Sequence, residues 1–103
     1  MNSKELVLYW SKKYLEKIGF PYIINWKRDT ALAKNFLDQM NNTELIKRLI
    51  DYIFELELEY YDISFLLGYN INMWIQEMIE EREIQKRVKK VAKEIQKQIK
   101  EKK

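Results

Sequence analysis

Gly19, Pro21 and Gly68 are the only glycine or proline residues in 103 positions. A sheet of several strands needs a tight turn between each pair, and such turns draw repeatedly on Gly and Pro. Long segments without either residue therefore predict an all-α fold, a small helical bundle of about four helices. Apolar residues make up 47% of the chain and aromatic residues 14%, enough for one core in a chain this short.

The spacing of the apolar residues places the helices. Val7, Trp10, Tyr14 and Ile18 recur at intervals of three and four over residues 3–18, with Asn2 and Glu5 as a capping pair and Gly19 as the stop. After the turn Phe20-Pro21-Tyr22, a second helix is expected from about Asn25–Lys27 to Met40, burying Leu32, Phe36 and Leu37 around Ala33. Asn41 with Glu44 can cap a third helix at about 43–56, where Leu45, Leu49 and Ile53 lie beside Ile46, Ile50 and Phe54. The acidic stretch ELELEYYD (55–62) leads to a short helical turn ending at Gly68. Asn70 or Asn72 then caps a last helix that can run to the C-terminus.

That last helix does not keep one apolar face. At 100° per residue Ile71, Trp74, Ile75, Met78 and Ile79 form one stripe, and Ile84, Val88, Val91, Ile95 and Ile99 form another, rotated by about 120°. Either the helix breaks near Glu80–Glu83 or its end projects and packs elsewhere. The charge divides at the same place. Residues 1–81 hold nine basic and thirteen acidic groups, a balance of −4, whereas residues 82–103 hold ten and three, a balance of +7. The expected organisation is a bundle over 1–81 followed by a basic amphipathic helical extension over 82–103.

Arg82, Lys86, Lys89, Lys90, Lys93, Lys97 and Lys100 share an arc opposite the Ile/Val stripe. Three readings fit: the solvated outer face of a helix that packs or dimerises, a ladder for nucleic-acid phosphates, or a helix lying on an anionic membrane. Phosphate binding on such a ladder releases counterions and is indifferent to sequence. The tail carries no aromatic residue, so it can hold backbone without stacking on bases. The membrane reading is disfavoured, since interfacial helices usually bury Trp, Phe or Leu and this stripe offers Ile, Val and Ala. The spacing 84, 88, 91, 95 fits a heptad seam. It makes Ile84, Val88, Val91, Ile95 and Ile99 the expected interface of a homodimer, with the two basic tails antiparallel to spread their charge.

Other chemistry is sparse. Cys and His are absent, which excludes disulfides, thiolate or imidazole metal sites, and Ser/His/Asp triads. Glu55, Glu57, Glu59 and Asp62 do not match a calcium loop, and no spacing selects an acid/base pair. No enzyme activity, metal or cofactor is expected. The longest apolar run, Leu6 to Trp10, is too short for a bilayer, and no signal-peptide pattern opens the chain. A cytoplasmic protein with no membrane partner is the expectation.

A resemblance covers residues 19–79. An aromatic turn is followed by NWKRD (25–29) opening a helix, then ELIKRLIDYIF (44–54), then GYNINMWIQEMI (68–79). This order is similar to a small helical domain of bacteriophage and mobile-element replication proteins, of replisome-organiser or helicase-loader type. Trp26, Arg28 and Asp29, then Ile50, Asp51, Tyr52 and Phe54, then Gly68, Tyr69 and Trp74 occupy its motif places in order. The resemblance implies a non-enzymatic accessory role in DNA replication, with a replicative helicase or other replication protein as partner. Family members usually carry a winged-helix module ahead of this domain; here a helix stands before residue 19, so specific origin binding is not expected. Trp26 and Arg28, with the acidic Glu55, Glu57, Glu59 and Asp62, are the candidate protein-facing residues, and any DNA contact is expected to be non-specific. A helical oligomerisation or host-protein inhibitory module that never touches nucleic acid is the alternative.

Overall fold

The computed structural model describes residues 1–101, and the side chains of residues 1–99. Four α-helices fold in sequence: α1 (Ser3–Ile18), α2 (Trp26–Gln39), α3 (Thr43–Glu55) and α4 (Ile71–Glu101), with a 3-10 turn at Ile63–Leu67 before α4. The helix ends follow local chemistry. The Asn2 side chain accepts from the backbone N–H of Glu5, and Gly19 closes α1 at φ 85°, a left-handed conformation that a Cβ disfavours. Asn25 accepts from the Arg28 N–H at the start of α2. At α3 the capping side chain is that of Asn42, which accepts from Leu45 N–H, and not Asn41. Only Asn42 stands three residues before the amide to be capped. Of the two candidate caps for α4, Asn70 directly precedes the helix, and its carbonyl accepts from Trp74 N–H at 3.0 Å.

Three cross-links fix how the helices run. The Met1 ammonium reaches Thr43 Oγ1 at 3.3 Å, Tyr9 Oη donates to Asp51 at 2.7 Å, and Lys17 Nζ meets Glu57 at 3.1 Å. Each pair is separated by about the same number of residues, so α1 and α3 are parallel. Tyr52 Oη donates to Glu77 Oε2 at 2.8 Å. A groove between α3 and α4 then has Leu45 and Arg48 on one wall and Arg82 and Gln85 on the other. Rising numbers on α4 thus meet falling numbers on α3, and the two helices are antiparallel.

The core is one cluster. Leu6, Val7 and Trp10 from α1, Ala33 and Phe36 from α2, and Ile46, Leu49, Ile50, Tyr52, Ile53 and Phe54 from α3 are buried with Tyr61, Ile63, Leu66 and Trp74. Leu49, Ile53, Phe54 and Trp74 share it, as the width of the α3 apolar face requires. Leu32 and Leu37 are half-buried at its edge, and Leu45 is half-buried in the groove between α3 and α4. Ile18, which the α1 spacing puts on the core side, is exposed, because the stripe runs on past the last residue of α1 that meets the core.

α4 is continuous through Glu80–Glu83, and its end projects. Gln85 is the last α4 residue to line the groove with α3, the described residues beyond it meet no neighbouring helix, and residues 80–99 are exposed throughout. The molecule measures 65 × 30 × 22 Å, with a radius of gyration of 18.0 Å. A compact chain of this length would give about 13 Å. No helix among the described residues is long and apolar enough to cross a membrane.

Candidate functional site

The cationic arc sits on the projecting part of α4. Arg82, Lys86, Lys89, Lys90, Lys93 and Lys97 are exposed, and among the described residues none of them enters an ion pair. The side chain of Lys100 lies outside the described residues. From Arg82 to Lys97 the arc runs about 22 Å at 1.5 Å per residue. Its angular place follows from the core contact upstream. Arg82 lines the α3/α4 groove, so the arc prolongs the bundle-facing side of α4 past the end of α3. The stripe Ile84, Val88, Val91, Ile95 and Ile99 lies on the other side, each residue more than half exposed.

The Trp26–Asp29 motif and Asp62 are drawn together. One guanidinium nitrogen of Arg28 donates to both Asp62 carboxylate oxygens at 2.6 Å, and Tyr22 Oη donates to Asp62 Oδ1 at 3.3 Å. Asp62 also accepts from the Ser64 N–H at 3.2 Å and from the Ser64 hydroxyl, capping the 3-10 turn. Burial pushes the Asp62 carboxyl upward, but the hydrogen bonds from Ser64 and Arg28 outweigh it and hold the group below the usual aspartate range. The Arg28 guanidinium is held above its ordinary value by that hydrogen bond and by the Asp62 charge. Arg28 and Asp62 are therefore partners of one another, a link across 34 residues that no local pattern announces.

Asp29 is the acid in the first turn of α2, and it faces inward. It is 1% exposed. Its Oδ2 accepts from the Asn25 backbone N–H at 3.1 Å, and its Oδ1 lies 3.3 Å from Arg28 Nε. Burial follows because Asp29 shares the inward face of α2 with Ala33 and Phe36, at spacings of four and three.

The remaining acids are dispersed. Glu55 borders both the α3/α4 groove and the α1/α3 groove, Glu57 pairs with Lys17, and Glu59 lines a shallow pocket with Tyr60, Phe65 and Trp74. They do not converge on one point, and no cluster of carboxylates among the described residues is arranged to hold a metal ion. Tyr61 is the unforeseen organiser of this stretch. Its hydroxyl donates to the Leu56 carbonyl and accepts from Leu58 N–H at 3.3 Å, while its ring stacks on Phe54 at 4.9 Å.

One end of the bundle exposes apolar surface. Phe20, Ile23 and Trp26 at the α1/α2 connection are 72%, 92% and 45% exposed, and Tyr60 and Tyr69 stand out from the segments around the 3-10 turn. The parallel α1 and α3 bring these segments to the same end, opposite to the end from which α4 projects. Sequence reading found Trp26 there. It named Phe20 only as part of a turn and Tyr69 only as a motif residue, and it missed Ile23 and Tyr60, for which the only signal was their place in the connections between helices. No protein-family model matches the chain, and no curated protein or solved structure matches it either.

Proposed function

We propose that this chain is a non-enzymatic accessory protein of DNA replication, of phage or mobile-element type, acting in the cytoplasm. It holds DNA backbone non-specifically through Arg82, Lys86, Lys89, Lys90, Lys93, Lys97 and Lys100. It meets a replicative helicase or another replication protein through the end of the bundle that carries Trp26. The observation that carries the reading is the arc itself: six exposed cations that have no acidic partner among the described residues, on a helix that projects clear of the bundle. A solvated outer helix face ordinarily interleaves both signs of charge, and an unbroken cationic ladder matches a run of phosphates instead. The ordered resemblance of residues 19–79 supports the replication setting.

The test is a fluorescence anisotropy titration on random duplex and single-stranded DNA over a salt series. If five phosphates are contacted, log K on duplex DNA falls with log salt at a slope near −4.5, about −0.9 per phosphate. Absence of binding at low salt overturns the DNA reading. The exposed Ile/Val stripe favours a second reading in that event, a helical oligomerisation or host-protein inhibitory module.

A further inference from the structure

The projecting part of α4 carries a feature that neither charge nor hydropathy alone explains. Arg87, Val88, Val91, Ala92 and Ile95 line a shallow groove on the outer side of the helix. Ile84, Val88, Val91 and Ile95 are spaced four, three, four, the alternation of a two-stranded seam. At 100° per residue, Arg87 and Glu94 fall on one edge of this stripe, and Gln85 and Ala92 on the other. Each edge residue directly precedes or follows a seam position, where charges decide the orientation of paired helices. Between Ile84 and Ile95 one edge therefore holds one cation and one anion, a heptad apart, and the other holds no charge.

We propose that the occupant of this stripe is the same stripe of a second copy, running antiparallel. Ile84 then packs against Ile95 of the second copy and Val88 against Val91, and the twofold axis repeats both layers. Four apolar layers form with no polar residue among them. In an antiparallel pair like edges meet. Arg87 faces Glu94 of the second copy, and the symmetry makes the same ion pair twice. In a parallel pair unlike edges meet, so Arg87 faces Ala92, Glu94 faces Ile99, and neither charge is answered. The two basic arcs would also lie side by side.

The fold leaves room for this pairing. The stripe is turned by about 120° from the α4 face that packs on the bundle, so a second helix reaches it unobstructed. The two bundles then stand at opposite ends of the pair, and the cationic arcs point away from the seam. The seam is short, about 17 Å from Ile84 to Ile95 at 1.5 Å per residue, which places the association in a reversible, concentration-dependent range. It stands whether or not the arc binds phosphate.

Sedimentation equilibrium of the full chain, without nucleic acid, over a concentration series tests it. The wild-type chain is expected to move from monomer to dimer as concentration rises. Arg87→Glu and Glu94→Arg should each raise the concentration needed at least about fivefold, since each sets like charges face to face across the seam. The two substitutions in one chain should restore dimerisation. So should an equimolar mixture of the two single variants, because position 87 of each then faces an opposite charge at position 94 of the other. Circular dichroism of each variant keeps loss of helix separate from loss of pairing. The proposal is overturned by a wild-type chain that stays monomeric throughout, by single variants that dimerise like wild type, or by a double variant and mixture that remain as weak as the singles.

Discussion

Phe54 shows how much a single ring does in a domain of this size. Its ring centroid lies 4.7 Å from that of Trp10, 4.9 Å from Tyr61 and 6.5 Å from Tyr14, so one α3 side chain joins α1 to the segment after α3. Phe54→Ala removes these contacts and leaves a cavity that the surrounding rings cannot collapse to fill. The expected cost is about 3–5 kcal/mol, measured by denaturant unfolding. Three tyrosines tie further pairs of elements through carboxylates. Tyr9 donates to Asp51, Tyr22 to Asp62 and Tyr52 to Glu77. Burial first, and then the neighbouring carboxylate, pushes the Tyr52 phenol up to about 12. The phenols of Tyr9 and Tyr22 are likewise raised, by burial and by the carboxylates beside them. A folded value above the unfolded one of about 10 means that the protonated phenol stabilises the fold. That stability is complete below about pH 10 and is lost as pH rises toward 12 and beyond. Ultraviolet titration of the native protein should show three phenols ionising late, and Tyr52→Phe should flatten the fall in unfolding free energy between those pH values.

Among the elements, α2 and the segment after α3 are coupled by the Arg28–Asp62 pair and not by apolar packing alone. Asp62 caps the 3-10 turn while holding Arg28, so Asp62→Ala should cost about 1–2 kcal/mol, mostly through the lost cap, since Arg28 is half exposed. The folded Asp62 carboxyl lies below the ordinary value near 3.9. Its contribution is therefore present above about pH 4 and lost as pH falls further, a dependence that Asp62→Asn should weaken in acid unfolding. Trp26 is the contrasting case. It is 45% exposed, so a protein contact predicts that Trp26→Ala abolishes capture of a replicative helicase while the melting temperature stays close to wild type. Loss of both together would make Trp26 a structural residue. The limits of α1, α2 and α3 and the face that each buries were legible in the sequence, because caps and apolar spacing act within a few residues of one another. What was not legible connects distant residues. Arg28 reaching Asp62, Asp29 turning inward, and Tyr61 stacking on Phe54 all depend on which helices become neighbours. The cationic arc of α4 could be read from spacing, but that nothing packs on it depends on where α3 begins.

At the scale of the whole molecule, α4 serves two purposes with one uninterrupted helix. Its first turns complete the core through Trp74, and its later turns leave the bundle with no neighbour of their own. A segment of about 20 residues with an unpartnered apolar stripe is marginal as an isolated helix, because the first turn is costly to nucleate. Here nucleation has already occurred where residues 71–79 dock, and the helix propagates outward from a folded start. The charge follows the same division, −4 over residues 1–81 and +7 over residues 82–103, and the described part of the basic segment, residues 82–99, lies in solvent. Truncation after Glu81 should leave a cooperative thermal transition within a few degrees of wild type, since every core residue lies at or before Trp74. The same truncation should abolish both DNA binding and self-association. A synthetic peptide of residues 82–103 should show little helix alone by circular dichroism, and gain it when mixed with duplex DNA, whose phosphates relieve the repulsion along the arc. A peptide already helical in isolation would locate the stability of the arm in its own sequence. A truncated protein without a cooperative transition would instead make the arm part of the fold, and would end the division of labour along α4 on which the binding model rests.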